Sequence, residues 1–459
     1  MNPLTGGLKF LSTTLFNALV ALVFFLVAGH FASPSFVGKV AIIQLVETIT
    51  ISFFPILPFQ VVTREVAHYY ASSQDYTKVI YTSLTYSLLA SPFLLFLLFF
   101  PSYLWLSIPY FILYLYTSYQ SQLLSGIGKF TEVNVGNAIF TLARWGLSVV
   151  AVFYHSIELL ILIWTVGALV KAMYYQRYLP FKFYIDKDLL VEMVRTGFPI
   201  YLYGAILFIS SQGDRIATAF LLGSYDLGIY QLVALAAVVP SMLIYSFSNS
   251  LLPSSTFYYV KGKDMREMSS MTFRVVSIVS LPIAILGYAV SPFFISKLFP
   301  EYVSGIESMQ LLVLFLTATM PLQLLPTFMI AAKVSYRPFI LIGTLSAVEV
   351  ISLSYLLIPK LGILGAALTQ VVNALLTSAL YLVLSVKQGV FPLSRREVIT
   401  LALIIISFFS PLNWIVVLIL EALGFKFLGI VGASEVRMVE GLAPQPLRRI
   451  IKVLYLAVK

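Results

Sequence analysis

Apolar runs about 20 residues long, the length an α-helix needs to cross a bilayer, recur along the whole chain. They fall near 8–29, 36–60, 78–100, 103–125, 131–154, 157–178, 194–222, 226–256, 270–299, 305–331, 335–358, 362–386, 396–410 and 412–431, which predicts about fourteen transmembrane helices. The last two come from one run broken at Ser410-Pro411-Leu412-Asn413, read as a tight turn; as a single tilted helix it would bring the count to thirteen. The first run is too long for the apolar region of a signal peptide, although Val27-Ala28-Gly29 faintly resembles a cleavage site.

Composition agrees. Of 459 residues, 60% are hydrophobic and 10% charged, with a mean hydropathy of +0.95. A soluble domain carries about 25% charged residues. The absence of alternation argues against a lipid-facing barrel. The expected class is therefore an all-α, multi-pass integral protein of the cell membrane. Without cysteine there are no disulfides, thiolate metal sites or cysteine nucleophiles, and the three histidines lie far apart.

The net charge of +10 would suggest nucleic acid for a soluble chain, but here its distribution matters more. With the N-terminus inside, 24 of the 29 Lys and Arg fall on inner segments and 3 (Lys39, Lys297, Lys360) on outer ones. That bias predicts N-in, C-in topology with an even number of spans, and no nucleic-acid partner.

The polar stretch 171–195 divides six spans from the next six. Residues 1–180 form an N-lobe (spans 1–6), 181–193 a cytoplasmic linker, and 194–390 a C-lobe (spans 7–12). Spans 13–14 occupy 391–431, and a basic cytoplasmic tail follows at 432–459, its 447–455 stretch read as an amphipathic helix on the inner leaflet or a disordered tail. An offset of 190 residues maps Gly38 to Gly228, Tyr69 to Tyr259, Ser87 to Ser277 and Pro92 to Pro282. The expected architecture is two six-helix lobes in parallel topology around a central cavity, as in transporters, plus two C-terminal helices. Pro55, Pro58, Pro199, Pro240, Pro253, Pro321 and Pro326 fall inside spans and mark kinks.

An ionisable side chain within a span faces a cavity or a partner. The candidates are Glu47, Arg144, Asp214, Arg215, Glu349 and Glu421. Arg144 is set opposite Glu349, in the corresponding span of the other half. Arg215 suits a pyrophosphate group through its rigid fork of donors. Glu47 and Glu349 are candidates for H⁺ or Na⁺ coupling, while Glu421, near a helix end, reads as structural. Asn17, Gln44, Asn137, Gln212, Gln231, Asn249, Gln323, Gln370 and Asn373 are candidate cavity-lining groups, or polar glue between helices.

No phosphate-binding G-x-x-x-x-G-K-[ST] loop is present, so the chain alone is not an ATP-driven pump; nor is there a clustered metal-ligand set or a cofactor motif. Asp186-Lys187-Asp188 has a glycosyltransferase-like spacing but reads as a solvated loop. No catalytic residue is assigned.

Gln212-Gly213-Asp214-Arg215-Ile216, Phe220-Leu221-Leu222-Gly223 and Leu227-Gly228-Ile229-Tyr230 resemble the polysaccharide-transporter branch of the MOP (multidrug/oligosaccharidyl-lipid/polysaccharide) superfamily, the Wzx-type flippases. Leu298-Phe299-Pro300-Glu301-Tyr302 and the run from Ile358 to Ala367 look similar to that branch, and Phe36-Val37-Gly38-Lys39 echoes the Leu227 motif. The resemblance implies twelve to fourteen spans in two lobes and alternating access. It implies movement of a polyprenyl phosphate- or pyrophosphate-linked oligosaccharide to the outer leaflet for glycan biosynthesis. The partners implied are membrane lipid, the lipid-linked glycan and glycan-assembly proteins; the substrate-binding residues would be Arg144, Asp214 and Arg215. Two rivals stand beside it. A multidrug/cation antiporter of the same superfamily fits the 15% aromatic content but not the intramembrane arginines. A membrane-embedded transferase would need a catalytic acid or His near the bilayer surface, and His30, His68 and His155 lack neighbours arranged for chemistry.

Overall fold

The computed structural model describes residues 3–53, 55–235 and 264–427 together with 255, 259 and 262, and side chains from residue 16 onward. Asn249, Pro240, Pro253, most of the span expected at 226–256 and the tail 432–459 lie outside the described residues. The described secondary structure is all helical. In chain order the helices are α1 (Pro3–Phe31), α2 (Pro34–Ser52), α3 (Phe59–Ala71), α4 (Thr77–Phe99), α5 (Ser102–Leu106), α6 (Ile108–Gly126), α7 (Phe130–Phe153) and α8 (Ile157–Gln176). They continue with α9 (Lys187–Leu221), α10 (224–235), α11 (Met265–Leu298), α12 (Pro300–Ala331), α13 (Arg337–Leu361), α14 (Ile363–Lys387), α15 (Arg395–Ser407) and α16 (Ser410–Phe427). Nine helices among the described residues are long and apolar enough to cross a membrane.

Local chemistry explains the starts and stops. Ser33 accepts from the Phe36 amide and Pro34 opens α2; Ser156 caps α8 by accepting from the Leu159 amide at 3.1 Å. The span expected to run through 36–60 is shorter: α2 ends at Ser52, and α3 begins only at Phe59. Pro55 and Pro58 have no amide hydrogen to continue the ladder. Tyrosines take the carbonyls of the break: Tyr201 donates to Phe53 O (3.1 Å) and Tyr119 to Leu57 O (2.8 Å). The run 396–431 is interrupted where the turn was expected. Phe408 and Phe409 separate α15 from α16, and Asn413, at φ −163° and ψ 97°, accepts from the Ile415 and Val416 amides at 3.2 Å each.

The chain divides into two compact units. Unit 1 holds residues up to Gln212 with Gly223–Gly228; unit 2 holds Gly213–Leu222 and residues from Ile229 on. In unit 1, α6 packs on α3, α4 and α8, and α1 on α7. Its core gathers Leu57, Val61, Leu84, Leu115, Tyr119 and Tyr175. In unit 2, α12 packs on α11 and α14, and both α15 and α16 pack on α11. Phe273, Leu281, Leu314, Leu403 and Phe425 form part of that core.

Candidate functional site

Two polar constellations are buried in apolar helices, one in each unit. In unit 1, α7 is a regular helix from Phe130 to Thr141 and then widens into a π turn over Leu142–Leu147. A π turn inserts one extra residue and re-aims the side chains on it. Arg144 sits on this turn, 9% exposed. It grips Glu47 of α2 with both ends of its guanidinium: Nη1 donates to Oε1 at 3.0 Å and Nη2 to Oε2 at 2.6 Å. Tyr110 of α6 donates to Glu47 Oε2 at 2.5 Å. Trp164 Nε1 of α8 donates to the Arg144 carbonyl at 2.8 Å and to Ser148 Oγ at 3.0 Å.

The guanidinium carbon lies 4.5 Å from the Trp164 ring centre and 4.6 Å from that of Trp145, with Phe140 at 5.7 Å. A desolvated cation gains about 2 kcal/mol from such a face. The carboxylate partner of Arg144 is thus Glu47, from its own unit, where Glu349 was expected. Sequence placed the two on different spans and gave no sign of the π turn that brings them together.

Lys171 opens the polar stretch 171–195 and counts among the inner cations, although it lies within the apolar run 157–178. The structure places it inside α8, 6% exposed, with Nζ 5.1 Å from the Phe140 ring centre and 5.5 Å from that of Tyr175. Five further residues, Ala172-Met173-Tyr174-Tyr175-Gln176, carry α8 on, and its end at Gln176 lies within two residues of the end of the expected run 157–178. Asn17 accepts from Thr141 Oγ1 at 2.8 Å, and Asn137 from Tyr175 OH at 3.3 Å. Gln44 lies three residues before Glu47 on α2.

In unit 2, Asp214 is 2% exposed on α9. Tyr230 of α10 donates to its Oδ2, and the Tyr230 hydroxyl also lies 3.5 Å from the Ala366 carbonyl of α14. Arg215 and Gln370 are the other polar neighbours of Asp214. Asp214 Oδ1 and Gln370 Nε2 are buried without a hydrogen-bond partner. Arg215 is half-buried, and Gln212, one turn earlier, is the last residue of unit 1 on this helix. On α13 both Glu349 oxygens are buried without a hydrogen-bond partner, and Asn373 accepts from Ser346 at 2.5 Å. Glu421 of α16 is buried with neither oxygen bonded.

A further cluster escaped the sequence reading. Glu397 of α15 is fully buried and accepts from Ser270 and Arg274 of α11 and from Ser394. Beside it, Arg266 Nε donates to the Gly389 carbonyl at 2.8 Å and Ser269 to the Val390 carbonyl at 2.7 Å. Glu397 stands at the start of an apolar run, where a carboxylate reads as a solvated helix end. Among the described residues no group of three or more His, Cys, Asp or Glu is arranged to hold a metal ion.

Residues 4–257 match the model of a family described as polysaccharide biosynthesis protein. No curated protein matches the chain. Among solved structures the chain is similar to the lipid II flippase MurJ in an inward closed conformation, with a TM-score of 0.69, 14% identity, and coverage of 92% of this chain and 100% of that one. It is also similar to an inward-facing multidrug resistance MATE family transporter of the MOP superfamily, with a TM-score of 0.68, 11% identity, and coverage of 81% and 94%. An outward-facing MATE transporter gives a TM-score of 0.55 at 10% identity. At these identities the likeness is one of fold.

Proposed function

This chain belongs to the polysaccharide biosynthesis protein family, as a multi-pass membrane protein with the MOP transporter fold, and from that premise we propose that it flips a lipid-linked oligosaccharide across the cell membrane by alternating access. The cargo in this reading carries a polyprenyl phosphate or pyrophosphate. The observation that supports it is the pair of arginines, Arg144 and Arg215, placed inside apolar helices, each beside a carboxylate. A guanidinium fork matches phosphate oxygens in pairs. Each unit thus offers its own cation to a phosphate, Arg144 in unit 1 and Arg215 in unit 2, and Asp214, held by Tyr230, steadies Arg215 through its charge. Glu47 is engaged by Arg144 and Tyr110. Glu349, with neither oxygen bonded, is therefore the better coupling group for H⁺ or Na⁺.

The test is flipping of a fluorescent polyprenyl-linked oligosaccharide in proteoliposomes, with and without an ion gradient. Transport that falls at least tenfold in Arg215→Ala supports the reading, and gradient dependence that vanishes in Glu349→Gln supports the coupling role. Efflux of a cationic dye with no flipping would move the chain to the multidrug reading.

A further inference from the structure

Glu47, Arg144 and Lys171 occupy one aromatic box in unit 1, at 6, 9 and 6% exposure. Phe140 is the wall both cations share: the Arg144 guanidinium carbon is 5.7 Å and the Lys171 Nζ 5.1 Å from its ring centre. The three ionised groups sum to one positive charge, withdrawn from water. Glu47 spends its oxygens on Arg144 and Tyr110. Among the described residues no carboxylate forms an ion pair with Lys171. Arg144 Nε is buried without a hydrogen-bond partner. Aromatic faces offset part of the cost of a buried cation, but a desolvated charge calls for a counter-charge. The box is therefore short of one negative group, and it has two unengaged donors to offer it.

We propose that Lys171 and the Nε edge of Arg144 form a seat for a phosphate oxyanion, with Glu47 as the resident competitor for the arginine. The fork that now holds a carboxylate in two bonds is the shape that holds a phosphate in two bonds. A phosphate seated on Lys171 supplies the missing charge and competes with Glu47 for Arg144. The helices set the order of contact. Trp164, bonded to the Arg144 carbonyl, and Lys171 lie about two turns apart on α8. Lys171 is on the Gln176 side, the inner end in the charge-based topology. A headgroup arriving from that side meets Lys171 before Arg144. The inference rests on the proposed cargo for its phosphate, but the seat itself does not distinguish a lipid headgroup from a free phosphate.

The experiment uses the full chain in nanodiscs and measures binding of a short-chain polyprenyl pyrophosphate, of inorganic pyrophosphate, and of the polyprenol without phosphate. Loss of one charge-assisted contact is expected to weaken polyprenyl pyrophosphate binding roughly tenfold in Lys171→Met, with Lys171→Arg restoring it. Glu47→Gln is expected to strengthen binding, since the competing charge is gone; a purely structural role for the carboxylate would give the opposite sign. If Lys171→Met does not fold, Lys171→Gln with the thermal shift induced by inorganic pyrophosphate gives the same comparison.

Binding by Lys171→Met or Lys171→Gln at the parental affinity overturns the seat, as does a parental chain that binds neither pyrophosphate. Polyprenyl pyrophosphate binding that ignores Lys171 overturns the seat and leaves the flippase reading standing. Lys171-dependent binding of inorganic pyrophosphate, with nothing gained from the lipid chain, keeps the seat and removes support from the flippase reading.

Discussion

Gly38 and Gly228 meet backbone to backbone within unit 1. A methyl group on Gly38 would lie 1.6 Å from the Ser224 carbonyl oxygen, and one on Gly228 would lie 1.8 Å from the Pro34 carbonyl oxygen. The contact is reciprocal in the 190-residue offset, which equates Pro34 with Ser224 as well as Gly38 with Gly228. Each residue touches the counterpart of its own neighbour, the self-complementary pattern of a local two-fold. Ser35 and Ser224 add a hydroxyl contact of 3.4 Å.

Alanine at either glycine must therefore push two helix backbones apart, with no side chain able to give way. Gly38→Ala and Gly228→Ala are each expected to destabilise the protein by more than about 3 kcal/mol, above the usual overpacking penalty. Melting of the purified protein in detergent measures this, and Gly38→Ala at the parental melting temperature would contradict the contact.

The Glu47–Arg144 pair predicts a non-additive cycle. Removing Arg144 leaves a buried carboxylate and removing Glu47 leaves a second uncompensated cation, each costing about 3–5 kcal/mol. Replacing both with apolar residues, as in Glu47→Leu with Arg144→Met, is expected to recover much of that stability while leaving transport dead. Thermal stability and flipping measured on the same four proteins separate the two effects.

Tyr119→Phe removes the donor that holds the Leu57 carbonyl at the break between α2 and α3. The tyrosine is fully buried, so the stranded carbonyl should cost about 1–3 kcal/mol. Hydrogen exchange should rise across 53–60 and not at α8. Uniform exchange across unit 1 would show that the hydroxyl does not pin the break.

Glu397→Ala strips the shared acceptor from Ser270, Arg274 and Ser394. Hydrogen bonds to a charged group are worth about 1.5–3 kcal/mol. The expected result is a lower melting temperature and faster proteolytic cutting in the connection 388–394, which Arg266 and Ser269 also hold. Unchanged cutting there would leave Glu397 with only a local role.

Much of this was legible in the sequence, because a bilayer simplifies the code. Apolar length marks most helices, and the cost of a charge in lipid singles out Glu47, Arg144, Asp214 and Arg215 from residue type and position alone. Three things were not legible. The end of α2 at Ser52 required knowing that Tyr201 and Tyr119 stood ready to take the Phe53 and Leu57 carbonyls at the break that Pro55 and Pro58 impose. Lys171 counted as an inner-segment cation because lysine usually lies at a span end; only the rings of Phe140 and Tyr175 make it an interior residue. The partner of Arg144 depended on a π turn, which has no side-chain signature. Asp214 and Tyr230, by contrast, were both inside the stretches that carried the family resemblance, although their bond was not foreseen.

The π turn in α7 makes the site sensitive to residue number as well as residue type. Each residue added to or taken from an α-helix rotates the remainder of that helix by about 100°. Removing Leu142, Ala143, Gly146 or Leu147 would restore ordinary pitch and change the direction of Arg144 relative to the rest of α7, away from Glu47 and Trp164, without altering any of those residues. The site is thus encoded by the length of a segment as much as by its composition, and a one-residue deletion in Leu142, Ala143, Gly146 or Leu147, none of them a ligand to anything, is expected to abolish transport as completely as loss of the arginine.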